Sequence, residues 1–111
     1  MLYVRMKEII DSGEIGRVRH IRFTYCLQPF EEGSWRNDAG LSGCLYAEKL
    51  CHYVDLPRWW LGKRVVRFFS IKAPNVIPYC KIPDNALCAY EFEDGTLSQL
   101  SFMYGPAHMH V

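Results

Sequence analysis

Glu48, His52 and Asp55 stand at i, i+4 and i+7, a spacing that lines three side chains along one face of a helix. An imidazole between two carboxylates has an evident chemical use. A carboxylate orients the ring, fixes its tautomer and stabilises the imidazolium, so the histidine can pass a proton near neutral pH. The plainer reading of the same spacing is a solvated helix face with a weak charge pair. Trp59 continues the line if Pro57 leaves the helical register intact. Upstream, Arg36 is suited to clamp a hydroxyl or carboxylate and Trp35 to wall a pocket. Their plainer reading is a loop tryptophan packed over a sheet beside a surface arginine. Cys44, Cys51 and His52 resemble the start of a metal site, but the spacing fits no common zinc pattern and a second ligand pair is missing. Buried structural thiols are the simpler account of the cysteines, and His108 and His110 read as exposed tail residues.

The elements that must position these residues follow from periodicity. Leu2, Met6, Ile9 and Ile10 mark one face of an amphipathic helix that ends at Gly13. Val18 to Leu27 alternates as a strand, with Ile21, Phe23, Tyr25 and Leu27 on its dry side. Gln28 to Leu41 reads as a long loop, of a length that is often functional. Leu45 to Leu61 reads as the central helix, with Ser42 as its cap, Ala47, Leu50, Val54 and Leu61 as its apolar stripe, and a kink or break at Pro57. Arg64 to Ala73 is a second strand and Pro74 to Pro83 an irregular segment. Ala86 to Glu93 and Thr96 to Tyr104 are strands joined at Asp94-Gly95, a strong hairpin signal. The aromatic residues alternate within strands, which suits packing better than base stacking. The order predicts an α+β fold: an open, largely antiparallel sheet with helices packed on one face.

Composition sets the bounds. The chain has 111 residues, half of them hydrophobic, with 23% charged and a formal net charge of +1. That predicts one domain at most, with no electrostatic footprint for nucleic acid or an acidic membrane surface. No apolar run approaches the roughly 20 residues of a membrane span. Met1 to Asp11 is charged throughout and unlike a signal peptide. Five cysteines, an odd count, argue against a disulfide framework and for a reducing cytoplasm.

Five short strings occur in order: SGEIGRV at 12–18, WRND at 35–38, SGCLYAEKLCHYVD at 42–55, RWWLG at 58–62, and Asp84-Asn85-Ala86 followed by FEDG at 92–95. Together they resemble the C-terminal domain of the Gfo/Idh/MocA oxidoreductases, the glucose–fructose oxidoreductase and inositol dehydrogenase family. The resemblance implies a partial C-terminal substrate and oligomerisation domain over residues 1–111, from a two-domain dehydrogenase whose nucleotide-binding domain is absent here. It implies NAD or NADP as cofactor of the full-length enzyme, bound mainly by that other domain, and none for this chain alone. It implies a sugar, polyol or related hydroxyl substrate, and self-association through the sheet. By the same resemblance His52 assists proton transfer while hydride passes to the cofactor, and Glu48 holds His52 or a neighbouring hydroxyl. Arg36, Trp35 and Lys49 line the substrate pocket; Asp55 and Gly43 support the site. Two positions depart from the family pattern: Glu48 stands where Asp is common, and Cys44 interrupts the glycine run. Neither G-x-G-x-x-G nor the family's Glu-Lys-Pro motif occurs, so the chain alone is expected to be inactive. A non-catalytic dimerisation or ligand-binding module of the same fold is the alternative, and a zinc-binding interaction domain is a third reading.

Overall fold

The structure is a computed structural model that describes residues 2–43 and 50–105. Its elements are α1 (Leu2–Ser12), β1 (His20–Leu27), a 3-10 turn (Trp35–Asn37), α2 (Ala39–Ser42), α3 (Cys51–Leu61), β2 (Val65–Lys72), β3 (Asn85–Phe92) and β4 (Leu97–Tyr104). The strands form one open sheet in the order β1-β4-β3-β2. β2–β3 and β3–β4 run antiparallel, and β1 lies parallel to β4 with His20 opposite Leu97 and Leu27 opposite Tyr104. The expected α+β, largely antiparallel sheet is therefore present, with one parallel pair at an edge.

Alternation decides which face is dry. Cys88 and Tyr90 of β3 and Leu100, Phe102 and Tyr104 of β4 are buried together with Leu50, just before α3. Burying side chains of this size is worth about 1.5–3 kcal/mol each. β1 joins α3 through aromatic rings: Tyr53 lies 4.6 Å from Tyr25 and 5.5 Å from Phe23, and Trp60 stacks on Phe23 at 5.7 Å.

Several elements differ from expectation for identifiable reasons. Helix α3 runs unbroken through Pro57, itself buried. Tyr53 and Val54 pack on the core before the proline and Trp60 is buried after it, so tertiary packing offsets the hydrogen bond that proline removes. Gly62, at φ +62°, closes the helix by donating its N–H to the Arg58 carbonyl at 2.8 Å. The expected helical residues Leu45 to Lys49 lie outside the described residues. Ser42 is the last residue of α2, its hydroxyl donating to the Asp38 carbonyl at 2.9 Å; the residues that it was expected to cap lie outside the described ones. The expected loop holds two short helical pieces, capped by Ser34 and Asp38. Both are too short to show periodicity. Helix α1 forms as expected but turns differently: Leu2 is 72% exposed, whereas Tyr3 and Lys7 meet α3. The Trp60 indole donates to the Tyr3 carbonyl at 3.0 Å, and the Lys7 ammonium donates to the Trp60 carbonyl at 3.2 Å.

The proline-rich segment before β3 is ordered from within. Asp84, fully buried, accepts the backbone N–H groups of Val76 and Ile77 at 2.7 and 2.8 Å, and the Asn85 amide at 2.8 Å. Asn75 donates to the carbonyls of Cys80 and Ile82. At the hairpin, Gly95 (φ +80°) donates to the Phe92 carbonyl at 2.8 Å, so the turn is one residue longer than a two-residue Asp-Gly turn. Asp94 in that turn accepts from Lys63, Arg17 and the Thr96 backbone. It thereby ties together the segments that enter β1, β2 and β4. Cys80 and Cys88 are buried as expected of structural thiols, but Cys26 and Cys51 are exposed. Among the described residues, no helix is long and apolar enough to cross a membrane.

Candidate functional site

Helix α3 leaves one face open. His52, Asp55, Leu56 and Trp59 recur at i, i+3, i+4 and i+7 and line a cleft of about 270 Å³, which Tyr3 of α1 closes from the side. His52 is exposed and has no hydrogen-bond partner among the described residues, so its ring nitrogens are open to whatever enters. The Asp55 carboxylate accepts from the Arg58 guanidinium at 2.8 Å, an exposed pair one turn further along α3. Glu48 and Lys49, the other predicted residues of this helix, lie outside the described residues. Trp59 continues the line as its spacing suggested, because the helix keeps its register through Pro57.

Tyr53 follows His52 and points inward, to the rings of Phe23 and Tyr25. Burial, reinforced by the neighbouring phenols of Tyr25 and Tyr3, pushes its hydroxyl well above the usual tyrosine range.

Trp35 lines a second cleft, of about 370 Å³, with Glu32, Asn37, Asp38, Tyr79 and Lys81. Its indole is 49% exposed. The Arg36 guanidinium lies 4.8 Å from the Trp35 ring centroid and 5.0 Å from that of Phe30, a cation–π arrangement that fixes the loop's outer surface. Tyr79 donates to the Phe30 carbonyl at 3.0 Å, and Lys81 faces Asp38 at 3.5 Å. Gly43, at φ +81°, sits where α2 ends and donates to the Ala39 carbonyl at 3.0 Å. A side chain is disfavoured in this backbone conformation.

The structure therefore brings His52, Asp55 and Trp59 into one cleft and gives Trp35 another. Sequence reasoning missed Tyr3, Tyr79 and Lys81, since each arrives through packing between distant elements. For the third reading, no three His, Cys, Asp or Glu side chains converge on a metal-sized site among the described residues; Cys44 lies outside them.

The sequence profile of the GFO/IDH/MocA C-terminal domain matches residues 3–108, and the chain belongs to that family. YteT of Bacillus subtilis (strain 168), whose name describes it as an oxidoreductase, is 32% identical over 75 residues, covering 64% of this chain and 18% of YteT. Solved structures share the fold at low identity. Myo-inositol 2-dehydrogenase from Lactobacillus plantarum has a TM-score of 0.77 at 21% identity over 96% of this chain and 33% of that one. Aldose-aldose oxidoreductase from Caulobacter crescentus, complexed with glycerol, has 0.81 at 13% identity over 91% and 31%. GenD2, from gentamicin A biosynthesis and in complex with NAD, has 0.80 at 22% identity over 96% and 31%. The chain thus spans about a third of these structures and under a fifth of YteT. No G-x-G-x-x-G occurs, and the passage from β1 to the turn at Trp35–Asn37 holds a single glycine, Gly33.

Proposed function

We propose that this chain is the substrate-side domain of an NAD(P)-dependent oxidoreductase that acts on a sugar, a polyol or a related hydroxyl compound. The observation that carries this is the open imidazole of His52 in an aromatic-walled cleft of α3, in a chain of this family. His52 exchanges a proton with the substrate hydroxyl; Glu48 holds His52 or that hydroxyl; Asp55 supports the helix face through Arg58. Arg36, Trp35 and Lys49 contribute to the substrate side, and Gly43 sets the turn before the helix. Hydride acceptance belongs to NAD or NADP held by a part of the protein outside this chain. The names of the inositol dehydrogenase and the glycerol complex support the substrate class. A cytoplasmic setting is part of the same reading.

In the full-length protein, His52→Ala is expected to lower kcat by about 10²–10⁴-fold, the usual contribution of general acid–base catalysis, with KM nearly unchanged. An unchanged kcat removes His52 from the mechanism. Isothermal titration of the 111-residue chain with NADH is expected to show no binding; tight binding would overturn the division of labour.

A second role rests on a separate observation. Phe69 and Ile71 of β2, Leu87 of β3 and Leu97 of β4 are exposed apolar residues on the sheet face away from α3. Self-association through this face would cover them, whether or not the domain also serves catalysis.

A further inference from the structure

We infer that Asp84 is a positioning residue for Trp35 and Arg36, and that it acts on them through the segment of residues 75–82. The inference rests on the reading that Trp35 and Arg36 serve the substrate side, and adds what holds them there. The two side chains stand in a three-residue turn, Trp35–Asn37, with one side-chain cap from Ser34. A turn this short has little stability of its own. Its polar groups are not all satisfied either. The Asn37 amide donates to the Glu31 carbonyl at 2.8 Å, while its buried Oδ1 has no partner among the described residues. A buried acceptor left unpaired costs stability. The conformation of the turn is therefore imposed from outside it.

The imposing contacts come from one segment. The Tyr79 hydroxyl donates to the Phe30 carbonyl at 3.0 Å, the Lys81 N–H donates to the Asn37 carbonyl at 2.9 Å, and the Lys81 ammonium faces Asp38 at 3.5 Å. These contacts grip the chain on both sides of Trp35 and Arg36, and the gripped Phe30 presents its ring 5.0 Å from the Arg36 guanidinium. The segment that carries Tyr79 and Lys81 belongs to neither a helix nor a strand. Its shape is set by the fully buried Asp84, whose carboxylate accepts the N–H groups of Val76 and Ile77. The Ile77 carbonyl in turn accepts the Cys80 N–H at 3.1 Å. Asp84 is itself fixed to the sheet, its carbonyl accepting the Tyr104 N–H at 2.7 Å. Hydrogen bonds thus lead from the last residue of β4, through Asp84, to both sides of the Trp35 turn. Supporting residues of this kind set the precision of those that meet a ligand. Asp94, in the hairpin at the other end of β3 and β4, is also a multiply bonded carboxylate. Its bonds go to Lys63, Arg17 and Thr96 instead, which makes it the control.

The test uses the full-length protein labelled with 5-fluorotryptophan, the Trp35 fluorine resonance being assigned with Trp35→Phe. Asp84→Asn and Tyr79→Phe are each expected to shift or broaden that resonance and to leave the Trp60 resonance in place. Asp94→Asn is expected to lower the melting temperature and to leave both resonances in place. With myo-inositol and NAD as kinetic probes, Asp84→Asn is expected to raise the KM for myo-inositol about tenfold at a nearly unchanged kcat, and Tyr79→Phe to raise it less. Tyr79→Phe keeps the ring and removes one hydrogen bond, so it decides the matter if Asp84→Asn does not fold. A Trp35 resonance that neither variant moves overturns the inference. So does an equal movement in Asp94→Asn, because any loss of stability would then suffice. Arg36→Ala separates the inference from the reading beneath it. A raised KM in Arg36→Ala beside an unchanged KM in Asp84→Asn faults the positioning, whereas an unchanged KM in Arg36→Ala faults the placing of Arg36 on the substrate side.

Discussion

β3 and β2 are hydrogen-bonded neighbours of equal length, yet their fates differ. Along β3, Ala86, Cys88, Tyr90 and Phe92 are buried and the residues between them are not. Along β2, every residue after Val65 is exposed, including Phe68 and Phe69 at 59% each. The two strands are similarly apolar, so composition does not separate them. Cover does. α3 and the segment held by Asp84 close over β3 and β4, whereas β2 lies at the sheet edge beyond their reach. The covered side holds the fold together; the uncovered side contributes little burial.

Three measurements can break or sharpen that contrast. The largest effect belongs to the covered side. Phe102→Ala, at a buried ring in contact with Tyr25 and Tyr104, is expected to cost about 3–5 kcal/mol in urea unfolding. Phe69→Ala on β2 should stay within about 0.5 kcal/mol, the range of ordinary surface substitutions. Equal losses at the two positions would erase the distinction. Next, Asp84→Ala strands the Val76 and Ile77 amides, each at about 1–3 kcal/mol, and should expose the segment before β3 to limited proteolysis while leaving β2 as it is. The smallest effect on stability and the clearest on assembly comes from Phe69→Glu with Ile71→Glu. The melting temperature should shift by only a few degrees, while any self-association seen by analytical ultracentrifugation is lost. Association that survives both glutamates would mean that the open face is not where copies meet.

A pH experiment probes the clamp at the end of the sheet. Its bond from Lys63, first, and that from the Thr96 backbone hold the Asp94 carboxyl well below the usual aspartate range. A carboxyl depressed in the folded state adds stability above the unfolded value of about 3.9 and loses it as pH falls further. Asp94→Asn should therefore flatten the acid limb of a thermal-melt series. An unchanged limb would assign acid sensitivity elsewhere.

Local signals were the legible part of the sequence. Period-two alternation marked β1, β3 and β4, an apolar run marked β2, Gly62 marked the end of α3 and Gly95 the hairpin turn, because these depend on near neighbours alone. α1 was legible as a helix but not in orientation: Leu2 and Met6 form its apolar stripe, yet Tyr3 and Lys7 meet Trp60. The break expected at Pro57 reflects an isolated helix, whereas packing on both sides of the proline carries α3 through. The helical turns at Trp35 and Ala39 depend on single capping side chains, which leave no periodic trace. At the site, the helical spacing of His52, Asp55 and Trp59 was plain. Tyr3 was not, because it is 49 positions before His52 in the chain and arrives only when α1 docks on α3.

The parallel pairing of β1 with β4 has a consequence for how the chain acquires its shape. Thr96 and Val18, bonded at the start of that pair, are 78 positions apart. β2, β3 and β4 follow one another as an antiparallel series and can zip up from nearby contacts, while β1 must wait for the last strand to be made. Its closure brings a large loop together late and slowly. During synthesis, β1 therefore keeps its β4 edge unpaired until β4 has been made.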